Sequence, residues 1–205
     1  MITIHTPETR DFTFSGLVTL DASIISPVVA EDLNGAFTFE FDYPADAPNA
    51  DLLVVENIVA TPVPGMTVRQ GFRVSEIQAT TDAMLHVVCL HVFYDLASNL
   101  VADTFIVNKT PAGALAQLLG AAQFPTGFTS QGANSPTSNI RVVRMSVAAA
   151  ILDASTDNTL MSRLGGDYTR DNFHILQQTR RGADRGVVIQ DRKNLTGYKS
   201  TLDFT

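Results

Sequence analysis

The chain has 205 residues, of which 45% are hydrophobic and 17% charged, and its formal net charge is −7. This is enough apolar material for a buried core in one large domain or two small ones. No apolar run approaches the roughly 20 residues that span a bilayer, so no transmembrane helix is predicted. No secretory signal is visible at the N-terminus. The single cysteine, Cys89, excludes an internal disulfide and a zinc site built from cysteines alone.

Negative charge is concentrated in the first third of the chain. Residues 1–68 carry ten acidic residues and one basic residue, Arg10, whereas residues 69–205 carry eleven acidic and thirteen basic residues. An acidic chain is a poor binder of nucleic acid, because phosphate binding requires a basic surface. The asymmetry favours an acidic face on the N-terminal portion, and a solvated surface that only confers solubility explains it equally well.

The first half of the chain has the period of β-strands. In Ala36–Asp42 three phenylalanines alternate with polar residues, among them Glu40, and this predicts a half-buried strand with an acidic wet face. The preceding Asn34-Gly35 is a turn sequence. A further strand is predicted at Val54–Thr61.

A hairpin is predicted from Gln70–Ala79 and Met84–Tyr94. Because Met84–Phe93 is apolar on both faces, we expect a central strand that is covered on both sides. The predicted core of this half consists of Phe37, Phe39, Phe41, Phe72, Val74, Val88, Leu90 and Val92.

The middle of the chain changes to a helical period. Thr110-Pro111 supplies an N-cap and a first helical residue, and apolar residues follow at helical spacing over 115–122. A short strand is predicted at Ile140–Met145 and a helix after Ser146. A third, short helix is expected to begin at Thr156 or Asp157.

Strands return in the last part of the chain. They are predicted at Tyr168–Thr179, Gly186–Asp191 and Thr196–Phe204. The order is β-rich, then α-rich, then β-rich, which is typical of an α+β fold with segregated layers.

The residues that could carry chemistry do not form a known constellation. His86 and His91 lie five apart on one predicted strand, hence on opposite faces, so they do not share a metal ion. We interpret the histidines, and the apolar-flanked Cys89, as core or hydrogen-bonded residues. The chain has no Gly-x-Ser-x-Gly, P-loop, His-Glu-x-x-His or dinucleotide fingerprint. We therefore predict no catalytic residue, no metal and no cofactor.

Two charged sets are candidates for interaction. An acidic set could act as a glycosidase pair, which requires carboxyl groups roughly 5 to 9 Å apart, but acids on a strand more often form a wet face. A basic set surrounds two predicted turns and could bind phosphate, although an interface or turn-tip salt bridges are the preferred interpretation. The acidic set is Glu31, Asp32, Glu40 and Asp42, and the basic set is Arg180, Arg181, Arg185, Arg192 and Lys193.

Residues 33–197 contain a series of short sequence motifs. The first are Leu33-Asn34-Gly35 with the alternating strand to Phe41, then Gln70-Gly71-Phe72-Arg73-Val74, then His91-Val92-Phe93-Tyr94-Asp95-Leu96. The later and more specific ones are Gly165-Gly166-Asp167, Asp171-Asn172-Phe173-His174-Ile175, Arg181-Gly182-Ala183-Asp184-Arg185-Gly186-Val187 and Lys193-Asn194-Leu195-Thr196-Gly197. In order and spacing they resemble the N-terminal region of siphophage tail-hub proteins, the tail-associated lysin or prophage endopeptidase-tail family.

This resemblance implies a virion structural protein of the phage tail tip, similar to the baseplate hub of contractile phages. Such hubs form a trimer that extends or closes the tail tube below a hexameric distal tail protein. The implied division is a β-barrel-like domain related to tail-tube subunits at 1–98, a helical α/β segment at 99–164 and the start of a second such domain at 165–205.

The same resemblance implies the partners and the location of the chain. The partners are two further copies of the chain, the distal tail protein and the tape measure protein. DNA would pass through without specific binding, and the protein would be made in the bacterial host cytoplasm and reside in the virion. Because an acidic wall repels phosphate over a Debye length of about 8–10 Å, we expect part of the acidic set to face the channel, with acids scattered over the outer surface as the alternative.

Members of the resembled family continue well past the length of this chain. We therefore expect a fragment of a longer hub, with any lytic activity in a C-terminal extension. Two other functions are open at this point: a cell-wall hydrolase or peptidase that acts during infection, and a receptor-binding module. The absence of tryptophan and the core-like spacing of most phenylalanines disfavour the module.

Overall fold

The computed structural model describes residues 1–20 and 23–178, together with the backbone of 199–203. The strands, numbered in chain order, are β1 (Ile2–His5), β2 (Val18–Leu20), β3 (Ile25–Asp32), β4 (Phe37–Pro44), β5 (Ile58–Thr61), β6 (Gln70–Ala79), β7 (Met84–His91), β8 (Leu100–Lys109), β9 (Thr129–Gln131), β10 (Ser138–Ser146), β11 (Asp167–Asp171), β12 (His174–Gln178) and β13 (Lys199–Asp203). The helices are α1 (Pro111–Gly120), α2 (Val147–Leu152) and α3 (Leu160–Leu164), with 3-10 helices at Ala50–Leu52 and Val92–Ala97. The fold is mostly β with a few short helices, and the segregated α+β layering stays a prediction.

The described residues divide into two compact units. The first contains residues 1–32 and 36–92 together with β13, and the second contains residues 33–35 and 93–178. The first unit holds an eight-stranded sheet in the order β13-β3-β4-β7-β6-β5-β1-β2, in which every neighbouring pair is antiparallel. The three-part division predicted from the sequence stays a prediction.

The core of the first unit is a group of aromatic side chains on one face of its sheet. Phe37, Phe39 and Phe41 of β4 are at most 1% exposed, as the alternation in the sequence predicts. The ring of Phe37 lies edge-on to Phe72 of β6 at 5.1 Å and stacks on the His91 ring at 4.5 Å. Aromatic pairs contribute about 0.5–1.5 kcal/mol beyond the burial of their area. Ring contacts across β4, β7 and β6 therefore stabilise this face.

Strand β7 corrects one sequence-based prediction. Val88 and Leu90 are not core residues, and β7 is not covered on both faces: Leu90 is 37% exposed, whereas Val87 and Cys89 are fully buried. Pairing with β4 decides which residues of β7 face the core, because directly opposite residues share a face. Cys89 lies opposite the buried Phe39 and is therefore on the core face. The predicted core residues that are buried are Phe37, Phe39, Phe41, Phe72, Val74 and Val92.

The second unit is built from a two-stranded ribbon, three helices and a small sheet. β8 and β10 pair antiparallel, with Ile140 opposite Ile106. Both isoleucines, with Val142, are at most 1% exposed and belong to one cluster with Leu115 of α1 and Ile151 of α2. In the small sheet β12 lies between β11, which is antiparallel to it, and β9, which is parallel.

Hydroxyl side chains cap the helices. The N-caps of α1 and α2 are Thr110 and Ser146, as predicted, and each side-chain oxygen accepts a backbone N–H three residues further on. The prediction for α3 is wrong, because its cap is Thr159 rather than Thr156 or Asp157. Thr159 forms a capping box with the third helical residue, so two otherwise unpaired N–H groups are satisfied together.

Three predicted strands have different bounds in the structure, and one of them, Met84–Tyr94, ends at His91 because Val92–Ala97 forms a 3-10 helix. Tyr168–Thr179 contains the hairpin β11–β12, whose turn includes Asn172 at φ 51°. Val54–Thr61 becomes a strand only at Ile58, since Glu56 has φ 78° and breaks the extended backbone. Strands β1, β2, β3, β8 and β9 have no counterpart among the predictions.

The turn between β3 and β4 takes part in the hydrogen bonding of the second unit. Asn34 adopts φ 55°, a left-handed conformation that asparagine tolerates. Its Nδ2 donates to the Gly166 carbonyl at 3.0 Å, and its Oδ1 accepts the Tyr168 N–H at 2.7 Å. The Tyr94 hydroxyl donates to the Gly35 carbonyl at 2.6 Å. The first of the motifs that carry the resemblance therefore contacts two of the others directly, through Gly166 and through Tyr94.

Candidate functional surfaces

The polar face of the first unit's sheet carries acidic side chains. Glu40 and Asp42 alternate along β4 with the buried phenylalanines and so lie on the opposite face. Glu40 is opposite Val28 of β3 and Val88 of β7, and Asp42 is opposite His86 of β7. The wet face predicted from the alternation in Ala36–Asp42 is therefore present and extends across three strands.

Two further carboxylates share this face. Asp32 lies four residues after Val28 on β3 and therefore points to the same side of the sheet. Glu76 of β6 is opposite Val88 of β7. We define the acidic sheet face as the set Asp32, Glu40, Asp42 and Glu76.

Two cationic or protonatable side chains also lie on the polar side of β6 and β7. His86 Nδ1 is 2.8 Å from the Asp42 carboxylate. Arg73 is directed to the Glu56 turn, where its Nη1 donates to the Glu56 carbonyl at 2.8 Å and lies 3.6 Å from the Glu56 carboxylate. The carboxylates of the acidic sheet face therefore outnumber the basic groups beside them.

Glu31 does not belong to this face. It is 7% exposed and lies opposite Phe37, so it points to the core side of the sheet. Adjacent residues on a strand point to opposite faces, which separates Glu31 from Asp32. The structure thus brings three of the four acids predicted as one set to the same face and places the fourth elsewhere. Whether any of them faces a channel stays a prediction.

The basic set predicted as an interface, and the strand predicted at Gly186–Asp191, lie outside the described residues. The role of the set as an interface stays a prediction. Its members are Arg180, Arg181, Arg185, Arg192 and Lys193.

The sulfur and imidazole groups are placed as structural residues. Cys89 is fully buried, and burial raises the pKa of its thiol, which opposes formation of a nucleophilic thiolate. His91 is buried with Nε2 3.2 Å from the Gln70 side-chain oxygen, and His174 Nδ1 is 2.7 Å from the Thr129 hydroxyl at the surface. Within the described residues no three His, Cys, Asp or Glu side chains form a set that could hold a metal ion.

His5 occupies a buried polar site of the first unit. It is 1% exposed, and the Phe12 and Phe14 rings lie edge-on to it at 5.2 and 5.3 Å. Its Nε2 is 2.8 Å from the Thr3 hydroxyl, which also accepts a hydrogen bond from Arg69 at 2.9 Å. Burial, and then the charge of Arg69, hold the pKa of His5 below its usual range. Sequence reasoning did not single this site out, because Arg69, the charged group beside it, is distant in the chain.

The second unit exposes apolar residues on the uncovered face of its ribbon. Phe105 and Val107 of β8 are 59% and 52% exposed, and Val143 of β10 is 44% exposed. Among them, Asp103 and Arg141 form a bidentate pair with N–O distances of 3.2 and 2.8 Å. We call these five residues the ribbon face. In the sequence, a strand with one apolar face is indicated here by the alternation of Phe105 and Val107, in a stretch that has no turn residue before Asn108.

A cavity of about 330 Å³ also lies in the second unit, and its lining is mainly apolar. Its one acidic residue, Asp153, accepts hydrogen bonds from the backbone and hydroxyl of Ser155 at 2.7 and 2.6 Å, which lower the pKa of Asp153. The cavity therefore lacks the convergent polar groups of a small-molecule site. None of the helices in the described part of the chain has the length and apolar character needed to cross a membrane.

Comparisons with known proteins identify the fold. No protein-family model and no curated protein sequence matches the chain. The prophage tail protein gp18 from Listeria monocytogenes EGD-e is similar in structure with a TM-score of 0.56 and 14% identity, over 88% of this chain and 51% of that one. A tail protein from Neisseria meningitidis MC58 gives a TM-score of 0.56 and 10% identity, over 86% of this chain and 49% of that one.

A third solved structure is the Escherichia coli c3393 protein, described as a component of the type VI secretion system with structural similarity to the T4 bacteriophage tail proteins gp27 and gp5. It is 11% identical with a TM-score of 0.46, over 78% of this chain and 46% of that one, and this score is too low to add to the comparison. The chain therefore shares the fold of two phage tail proteins and spans about half the length of each.

Proposed function

We propose that this chain is a structural subunit of a bacteriophage tail, located in the tip hub that extends or closes the tail tube below the distal tail protein. The observation that carries the proposal is the fold it shares with two phage tail proteins over 88% and 86% of its length. The ordered motifs over residues 33–197 support the hub position in particular.

The proposed working form is a homotrimer that contacts a distal tail protein hexamer and, on the inner side, the tape measure protein. A stable contact of this kind requires an interface above about 1,000 Å². The basic set at residues 180–193 is proposed to contribute to such an interface. The proposed location is the tail tip of the virion, after synthesis in the host cytoplasm.

The acidic sheet face is proposed to line the channel of this assembly. Its members Glu40 and Glu76 are exposed, and Asp32 and Asp42 partly exposed, so their carboxylates meet solvent. Such a wall repels DNA phosphates within about 8–10 Å at physiological salt, which lets DNA pass without binding. Glu31 is left out of this wall, because it points to the core.

The chain itself is proposed to have no catalytic activity. The buried thiol of Cys89 and the structural hydrogen bonds of the described histidines support this view. A direct check is incubation of the purified chain with peptidoglycan, for which we expect no release of soluble fragments.

The proposed function is tested by the mass of the assembly in solution, alone and mixed with the distal tail protein. We expect a complex with three copies of this chain per distal tail hexamer in light-scattering measurements. A stable closed dimer with its own apolar interface, or no complex at any concentration, would contradict the hub position.

A further inference from the structure

The ribbon face is apolar where a free surface would be polar. Phe105 lies opposite Arg141 and Val143 lies opposite Asp103, so the two apolar residues are diagonal across the ion pair, and Val107 follows Phe105 on the same strand. Each of the three exposes between 44% and 59% of its surface. Exposed apolar groups that cluster in this way mark contact surfaces. Within the described residues, the opposite face of the ribbon packs against the helices through Ile106, Ile140 and Val142, which leaves the ribbon face as the exposed one.

The ribbon also carries basic charge in an acidic chain. Asp103 and Arg141 neutralise each other, and the ribbon's other charged residues are Lys109 and Arg144. Both are exposed and lie at the ends of the ribbon face, Lys109 beyond Val107 and Arg144 beyond Val143, where left-handed φ angles at Asn108 (48°) and Arg144 (49°) interrupt the alternation. Neither forms an ion pair with the described residues. A partner for this surface therefore combines apolar side chains with carboxylates.

One segment of the same protein has that chemistry. Residues 45–56 contain three acids and no base. Val54 and Val55 in this segment are 46% and 52% exposed. Asp46 and Asp51 are exposed and form no ion pair with the described residues. We call residues 45–56 the acidic loop.

We infer that the ribbon face of one copy of this chain docks on the acidic loop of a second copy. In this contact Phe105, Val107 and Val143 cover Val54 and Val55. Lys109 and Arg144 pair with Asp46 and Asp51 at its rim. The two surfaces are different patches, so the contact is head-to-tail, the type of interface from which rings are built. The inference rests on the proposed function only in that copies of the chain must associate. The contact uses no residue of the acidic sheet face.

The test is charge reversal with restoration, measured on the full chain by sedimentation velocity at low salt. Lys109→Glu with Arg144→Glu, and separately Asp46→Lys with Asp51→Lys, are each expected to weaken self-association about tenfold or more. All four changes together restore opposite charges at the contact and are expected to recover association to near the wild-type level. Loss in both double variants without recovery in the quadruple variant would overturn the pairing.

Two controls separate this contact from effects of net charge and of folding. Glu8→Lys with Asp82→Lys makes the same change in net charge as the loop variant, at exposed positions outside both surfaces, and is expected to leave association unchanged. Phe105→Ser is expected to weaken association while the melting temperature stays close to that of the wild type, because its ring is 59% exposed.

The possible failures are distinguishable from failure of the proposed function. If the wild-type chain stays monomeric up to millimolar concentration, the contact is wrong, whereas the tail position is judged separately by complex formation with the distal tail protein. If oligomers form and no variant changes them, the contact is wrong and the hub stands. If the ribbon variants abolish binding of the distal tail protein alone, the ribbon face serves that partner and the inference is overturned.

Discussion

The two units place similar apolar side chains in opposite environments. In the first unit Phe37 and Phe39 alternate along a strand of an eight-stranded sheet and are fully buried. In the second unit Phe105 and Val107 alternate along a strand of a two-stranded ribbon and are more than half exposed. Alternation therefore predicts which residues share a face, and the layer that covers the face decides whether it is a core or a contact surface.

The largest expected effect tests this difference directly. Phe39→Ala is expected to lower the free energy of unfolding by about 3–5 kcal/mol, because it removes a fully buried ring from among its aromatic neighbours. Phe105→Ala is the matched change in the ribbon and is expected to cost at most about 0.5 kcal/mol. Chemical denaturation of both variants measures the two values. Equal losses would show that the ribbon face is covered in the isolated chain.

A smaller effect is expected when two asparagines whose side chains form hydrogen bonds with the backbone are compared. Asn34→Gly keeps the left-handed turn but removes the amide bonds to Gly166 and Tyr168, so we expect a loss of about 1–3 kcal/mol. Asn139→Ala removes an exposed bond to the Asn108 N–H on the ribbon and is expected to cost less than about 1 kcal/mol. A melting temperature of the Asn34 variant as high as that of the Asn139 variant would contradict the structural role of the turn.

A pH effect distinguishes the enclosed His5 site from the exposed ribbon. The folded-state pKa of His5 lies below its usual 6.5, because burial and Arg69 disfavour the protonated ring. The unfolded chain therefore binds the proton first, so stability is complete above pH 6.5 and falls as the pH drops toward the folded pKa. His5→Gln is expected to flatten this slope, measured by denaturation between pH 7 and pH 5.

The control for this measurement is Val59→Ala, which removes buried volume from a neighbouring strand but no ionisable group. It is expected to lose stability and keep the full slope. Asp11 also titrates with a lowered pKa, because the Thr13 N–H donates to its carboxylate, and its contribution is lost only as the pH falls below 3.8. An unchanged slope in His5→Gln would show that another group is responsible.

The smallest effect concerns the ion pair at the centre of the ribbon face. Asp103 and Arg141 are exposed, and the hydrogen bonds from Arg141 lower the pKa of Asp103. Exposed pairs contribute little to folding. Asp103→Asn is therefore expected to leave the melting temperature unchanged within error, whereas a clear decrease would indicate that the ribbon face is already buried.

Local patterns were sufficient where the determining contacts are local. The alternation of Phe37, Phe39 and Phe41 predicted β4 and its wet face, and the caps Thr110 and Ser146 predicted the starts of α1 and α2. In each case the side chains that decide the structure lie within a few residues of one another.

The sequence-based predictions failed where the structure of a segment depends on a strand that is distant in the sequence. Met84–His91 is apolar at most positions, so its parity follows from pairing with β4, and Leu90 faces solvent for that reason. β8 interrupts its apolar pattern with Asp103 and Thr104 and is a strand because it pairs with β10, about 40 residues away in sequence at the Asp103–Val143 position. The acidic sheet face was identified only in part, since Glu76 comes from a strand that the sequence does not connect to β4.

A structure of the assembled tail tip by electron cryomicroscopy would show which face of the first unit's sheet lines the channel. We expect Glu40 and Asp42 to line the lumen, with the aromatic face of the sheet turned away from the axis. This expectation would be contradicted by a tail tip in which these two carboxylates lie on the outer surface.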